Sequence, residues 1–152
     1  MIIKRFILFT VIFTIILVGC SSCQENQNAE SILLDITNEI DDLALGSLYL
    51  KSANEGNAAY PSPKLLSSLY HEKALEYEFT LIEDFAIYLS LQKPCEIAVF
   101  KCYSASDTDI IAAMCIKRIN TLSVLLEGTP YENIPKKAKV EINGRTVCVI
   151  ML

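Results

Sequence analysis

Glu96 to Tyr103 (EIAVFKCY) contains four consecutive apolar residues, Ile97-Ala98-Val99-Phe100. A strand with one wet face alternates apolar and polar side chains, whereas a run apolar on both faces needs cover on both. This stretch therefore calls for a central strand with layers above and below. Arg145 to Leu152 makes the same demand, because Cys148, Ile150 and Leu152 alternate with Val147 and Val149. Just before it, Asn143-Gly144 tolerates the positive φ values of a type I′ turn. The expected hairpin pairs Ile142 with Arg145 and Val140 with Val147.

The remaining periodicities supply partners for these two strands. Tyr77, Phe79, Leu81, Phe85, Ile87, Leu89 and Leu91 share one parity over residues 77–91, and Glu83-Asp84 marks a bulge or a break. Ser106-Asp107-Thr108-Asp109 has capping-box spacing. It opens a helix over 106–127 with Ile111, Cys115, Ile119, Leu122 and Leu126 on one face, and Gly128 and Pro130 close it. Ile32, Ile36, Ile40 and Leu43 predict a helix over about 31–45 that Gly46 stops. Ser62-Pro63 reads as an N-cap followed by proline at the first helical position. Residues 48–59 are weakly patterned. The expected fold is α+β: a mainly antiparallel four-stranded sheet, strand-strand-helix-strand-strand, covered by helices. Placing the two most apolar strands side by side gives the order first-second-fourth-third, with charged edge strands.

The N-terminus follows a different logic. Lys4 and Arg5 precede an apolar run from Phe6 to Val18, and small Gly19 leads into Cys20. This is secretory signal layout. The run of about 14 residues is short against the roughly 20 that span a bilayer. Leu17-Val18-Gly19-Cys20 resembles the lipobox of bacterial lipoproteins, which implies a diacylglyceryl group on the Cys20 sulfur and cleavage before it. Two acyl chains give lasting anchorage where one is marginal. The expected division is a signal peptide over 1–19, a polar tether over 20–30 and one domain over 31–152. The expected location is the extracytoplasmic face of the membrane.

Two of the 13 basic residues and none of the 18 acidic ones lie in the first 19, so the remaining 133 residues carry a formal charge of −7. Such a chain has no electrostatic drive toward nucleic acid or an anionic membrane surface, so membrane contact is expected to come from the lipid. If Cys20 is acylated, five cysteines remain: Cys23, Cys95, Cys102, Cys115 and Cys148. An odd number cannot pair completely within one chain. Cys102, Cys115 and Cys148 sit in apolar patterns and read as buried thiols.

Glu96-Ile97-Ala98-Val99-Phe100-Lys101, the helix that follows and the closing Ala138-Lys139-Val140…Val147-Cys148-Val149-Ile150 together resemble domain-of-unknown-function family 4358, over roughly residues 70–152. Its members are small lipoproteins of Gram-positive, mostly anaerobic bacteria. The resemblance implies location and fold, and brings no catalytic residue with it. Pro94-Cys95 stands where a more acidic approach to the strand is expected.

No constellation in the sequence has catalytic spacing. His71 is the one histidine, and His71-Glu72 lacks the second histidine of H-E-x-x-H because position 75 is Leu. No metal ligand set and no cofactor motif is expected. Glu76, Glu78, Glu83 and Asp84 read as a solvated face, and Asp107 and Asp109 as charge at a helix start. Lys136, Lys137 and Lys139 form a small basic cluster beside the last hairpin, read as a solvated edge or, alternatively, as a contact for an anionic wall polymer. The leading expectation is a lipid-anchored, non-catalytic binding or accessory module that meets an envelope protein or wall polymer. One alternative is a thiol-dependent envelope enzyme using Cys95, exposed by a turn, or Cys102. The other is a binder of a small ligand between helix and sheet.

Overall fold

A computed structural model describes residues 27–152. The expected signal peptide and lipobox, with Cys20 and Cys23, lie outside the described residues. The elements in chain order are α1 (Ala29–Asn38), β1 (Gly46–Leu50), α2 (Pro63–Tyr70), α3 (Glu72–Glu76), β2 (Ile82–Ser90), β3 (Glu96–Cys102), α4 (Thr108–Leu125), α5 (Asn133–Lys136), β4 (Lys139–Asn143) and β5 (Thr146–Met151). Short 3-10 turns cover Glu78–Leu81 and Ala105–Asp107.

The fold is α+β, and its sheet is antiparallel with five strands in the order β1-β2-β3-β5-β4. The four expected strands take the expected order. The fifth, β1, lies in the stretch read as a helix end and a patternless segment. A strand of five residues that is half-buried throughout shows no alternation to detect. Gly46 opens this strand rather than stopping a helix. A Cβ there would run into the Leu89 carbonyl oxygen and the Tyr88 ring, so the glycine serves close approach to β2. Because β1 flanks β2, the strand expected at one edge is interior. The new edge, GSLYL, carries no charge, whereas the opposite edge, β4, carries Lys139 and Glu141.

β3 is buried at all seven positions, as its apolar run requires. Ala98, Phe100 and Cys102 face one layer together with Phe85, Ile87, Val147 and Val149. That layer is closed by Leu66 and Tyr70 of α2 and by Ile111, Ala112, Met114 and Cys115 of α4. Ile97 and Val99 face the other layer, where Ala29, Ile32 and Leu33 of α1 cover them. Burying a side chain of this size contributes about 1.5–3 kcal/mol. Two layers built on one strand thus account for much of the cohesion.

Several boundaries differ from their sequence signals for local reasons. α1 starts at Ala29, two residues inside the expected tether, because the Asn28 side chain accepts from the Ser31 amide. It ends at Asn38 instead of 45; Ile40 and Leu43 still pack on the core from non-helical backbone. Residues 77–81 wind into a turn instead of extending the strand, and Phe79 and Leu81 reach the core from there. The register shift between Ile82 and Asp84 is the bulge expected at Glu83. The capping box does not form: Ser104, not Ser106, caps the turn ahead of α4, and α4 itself has no side-chain cap. The final hairpin turns on Gly144-Arg145 with Asn143 opposite Thr146, not on Asn143-Gly144. Only Gly144 has positive φ, the pattern of a type II′ turn. The slip is two residues, so every side chain keeps its predicted face.

Candidate functional site

β3 carries two charged residues in its buried run, Glu96 and Lys101, at opposite ends and on opposite faces. Glu96 shares its face with Ala98 and Phe100, toward α2 and α4. Its Oε1 accepts from the Tyr70 hydroxyl at 2.5 Å, and its Oε2 accepts from Arg118 Nε at 3.2 Å. The Glu96 side chain is 2% exposed and that of Arg118 15%. A buried carboxylate persists when its lone pairs are filled and a counter-charge lies close. Tyr70 ends α2 and Arg118 lies two-thirds along α4, so one carboxylate joins two helices to the sheet. Burial, and then the Glu96 charge, pushes the Tyr70 hydroxyl well above its ordinary value. It is therefore a hydrogen-bond donor across the whole physiological range.

One residue outward, the same two helices meet again. His71 follows Tyr70, and Lys117 precedes Arg118. His71 Nε2 and Lys117 Nζ lie 3.1 Å apart at the surface. His71 has φ 68° and ψ 157°, a region essentially restricted to glycine. It joins α2 to α3 by accepting from the Ala74 amide through its carbonyl oxygen at 3.1 Å and its Nδ1 at 3.2 Å. The result is a two-tier clamp, buried at Tyr70–Glu96–Arg118 and exposed at His71–Lys117. In the sequence His71 stands alone, without a second metal ligand at helical spacing. Its true neighbour is 46 residues away, and only the adjacency of Tyr70 to His71 and Lys117 to Arg118 hints at paired tiers.

The residues singled out in the sequence are placed as follows. Lys136 and Lys137 lie at the end of α5 and Lys139 opens β4; all three are exposed. Lys136 meets Glu132 at 3.5 Å, an exposed pair one helical turn apart. Glu83 pairs with Arg145 at 2.8 Å, and Asp84 accepts from the Ala29 amide at 2.8 Å. Of the crowded carboxylates, Glu83 thus joins an ion pair and Asp84 the start of a helix, while Glu76 ends α3 and Glu78 opens the turn before β2. Cys95, Cys102, Cys115 and Cys148 are free thiols. Cys95 is buried, not exposed by its turn, because its backbone closes the β2–β3 connection through the Ser90 amide. Burial is the main cause raising all four: Cys102 is pushed up to about 11 and Cys148 to about 12. Between α4 and the sheet, Tyr70, Phe79, Phe85 and Phe100 pack with ring centroids 5.6–6.3 Å apart.

Among the described residues no group of three or more His, Cys, Asp or Glu side chains is placed to hold a metal ion. No helix among them is long and apolar enough to cross a membrane. No protein-family model, curated protein or solved structure matches the chain.

Proposed function

We propose that the chain is a lipid-anchored, extracytoplasmic binding or accessory module of the cell envelope, held to the membrane by an acylated Cys20 after cleavage within Leu17-Val18-Gly19-Cys20. The observation that carries the reading is Leu17-Val18-Gly19-Cys20 after a basic front and an apolar run, and by Gln27 the chain is already tied to the sheet. Lys101 Nζ donates to the Gln27 carbonyl oxygen at 2.7 Å, and Asp84 takes the Ala29 amide. Gln27 is seven residues past Cys20. Even a fully extended leash of that length reaches only about 25 Å. The body would work close to the bilayer.

Binding is favoured over thiol chemistry by the state of the sulfurs. A thiolate is the nucleophile, and burial holds these thiols protonated. The contact we assign to an envelope protein or wall polymer is Lys136, Lys137 and Lys139, at the end of the sheet edge formed by β4.

Metabolic labelling with an alkyne fatty acid, followed by membrane fractionation, tests the anchor. Wild type takes up the label and sediments with membranes, and Cys20→Ala does neither. Unlabelled wild-type protein recovered from cytosol with residues 1–19 attached defeats the proposal. For the contact, Lys136→Glu with Lys137→Glu removes a partner captured by crosslinking in the native membrane while leaving thermal stability unchanged. Undiminished capture rejects that surface.

A further inference from the structure

The exposed tier of the clamp contains a chemical contradiction that a ligand would resolve. The Ala74 amide hydrogen points at the His71 carbonyl oxygen and at Nδ1. A proton on Nδ1 would face that hydrogen, so the neutral ring carries its proton on Nε2. Nε2 is the atom 3.1 Å from Lys117 Nζ. A lysine ammonium has three donors and no acceptor. Two donors therefore converge, with no acceptor of their own between them. Among the described residues Lys117 has no carboxylate partner.

The convergence is held in place. Tyr70 and Arg118, the immediate chain neighbours, are locked to the buried Glu96. His71 is kept in backbone territory that only glycine occupies readily. Strain of this kind persists where the surrounding structure over-determines a residue, and it gathers at ligand clamps.

We propose that His71 Nε2–H and the Lys117 ammonium form an oxyanion-binding site, taking a phosphate group between the end of α2 and the outer face of α4. One oxygen accepting from both donors, or two oxygens of one phosphate, satisfies the pair through charge-assisted hydrogen bonds. The site uses none of the lysines at α5 and β4 and does not depend on the lipid anchor. Free phosphate and the phosphodiester of an anionic lipid headgroup share this chemistry.

Because His71 is the only histidine, its ring nitrogens can be followed without ambiguity. The experiment uses full-length protein in neutral detergent micelles, with long-range 1H–15N NMR of the imidazole. One arm adds inorganic phosphate. The other adds phosphatidylglycerol to the micelles, with phosphatidylcholine as control. The Nε2–H tautomer is expected before addition, followed by a saturable shift of the ring with at least one probe. Response to phosphate alone identifies a small-anion site, and response to phosphatidylglycerol identifies a headgroup site. Lys117→Gln should weaken the apparent affinity about tenfold, the scale of one charge-assisted bond. His71→Gly relieves the backbone and keeps the fold. It should melt no lower than wild type while losing the saturable shift at the amides of residues 72 and 117. An Nδ1–H tautomer, a shift that never saturates with either probe, or equal affinity in Lys117→Gln overturns the assignment.

Discussion

Glu96 and Lys101 make a controlled comparison within one strand. Both are buried charges in β3, five residues apart, and each ties helical structure to the sheet from its own face. Glu96 meets side chains only: a hydroxyl and a guanidinium from two helices that already share a large apolar layer. Lys101 donates to backbone, the Gln27 carbonyl oxygen just ahead of α1, which among the described residues is the helix that covers the other layer. Its strand neighbour Asp84 completes the arrangement by taking the Ala29 amide. A buried charge can thus lock a junction between elements that would pack anyway, or determine where a segment begins. The first is a matter of stability and the second of where α1 is anchored.

Deleting each charge should separate the two roles. Glu96→Ala leaves the Arg118 charge and the Tyr70 hydroxyl without their shared partner, and should cost about 3–5 kcal/mol in denaturant unfolding. A loss under about 1 kcal/mol would show that the clamp is ornamental and erase the contrast. Lys101→Met should cost less, about 1.5–3 kcal/mol, the range for a hydrogen bond to a charged group. Its signature should be local: amide exchange in α1 accelerates while exchange in α4 does not. Uniform acceleration would mean that Lys101 acts as Glu96 does.

The sulfurs sharpen the comparison of the two layers, since Cys102 and Cys115 lie in the Glu96 layer and Cys148 in the other. Their folded values are raised above the ordinary thiol value of 9.0. Above about that pH the unfolded thiols release protons while the folded ones keep theirs. Stability is therefore whole below pH 9 and falls as pH climbs toward about 11 for Cys102 and about 12 for Cys148. The slope is at most about 1.4 kcal/mol per pH unit for each thiol. Denaturation midpoints at pH 8, 9 and 10 measure it, and Cys148→Ala should flatten part of the fall. A midpoint constant from pH 8 to 10 would contradict the burial of these thiols.

How the layers formed was largely legible from apolar spacing. The four periodic strands, the long helix and the order of those strands follow from which stretches are apolar on both faces and must therefore lie inside. β1 escaped because five half-buried residues carry no period, and Gly46 signalled close approach in a place that also suits a helix stop. The hairpin shows the same limit on a finer scale. Asn143-Gly144 and Gly144-Arg145 are both permissible turns, and pairing with β3 on the far side of β5 accompanies the second. Of the clamp, the sequence displayed a lone histidine and a charged strand end, with no sign that they met.

By itself the sequence determined what must be buried, because burial follows from composition and period along a few neighbouring residues. It also determined that β3 and β5 would be central, that the sheet would be covered on both faces, and that the cysteines of apolar stretches would pack as small hydrophobes. Tertiary structure alone decided that Glu96 would bind Tyr70 and Arg118, that Lys101 would hold the start of α1, and that His71 would face Lys117. Those pairings join residues 22 to 74 positions apart. A polar contact depends on the directions of two side chains in space, and no local pattern in a chain encodes a direction shared across that distance.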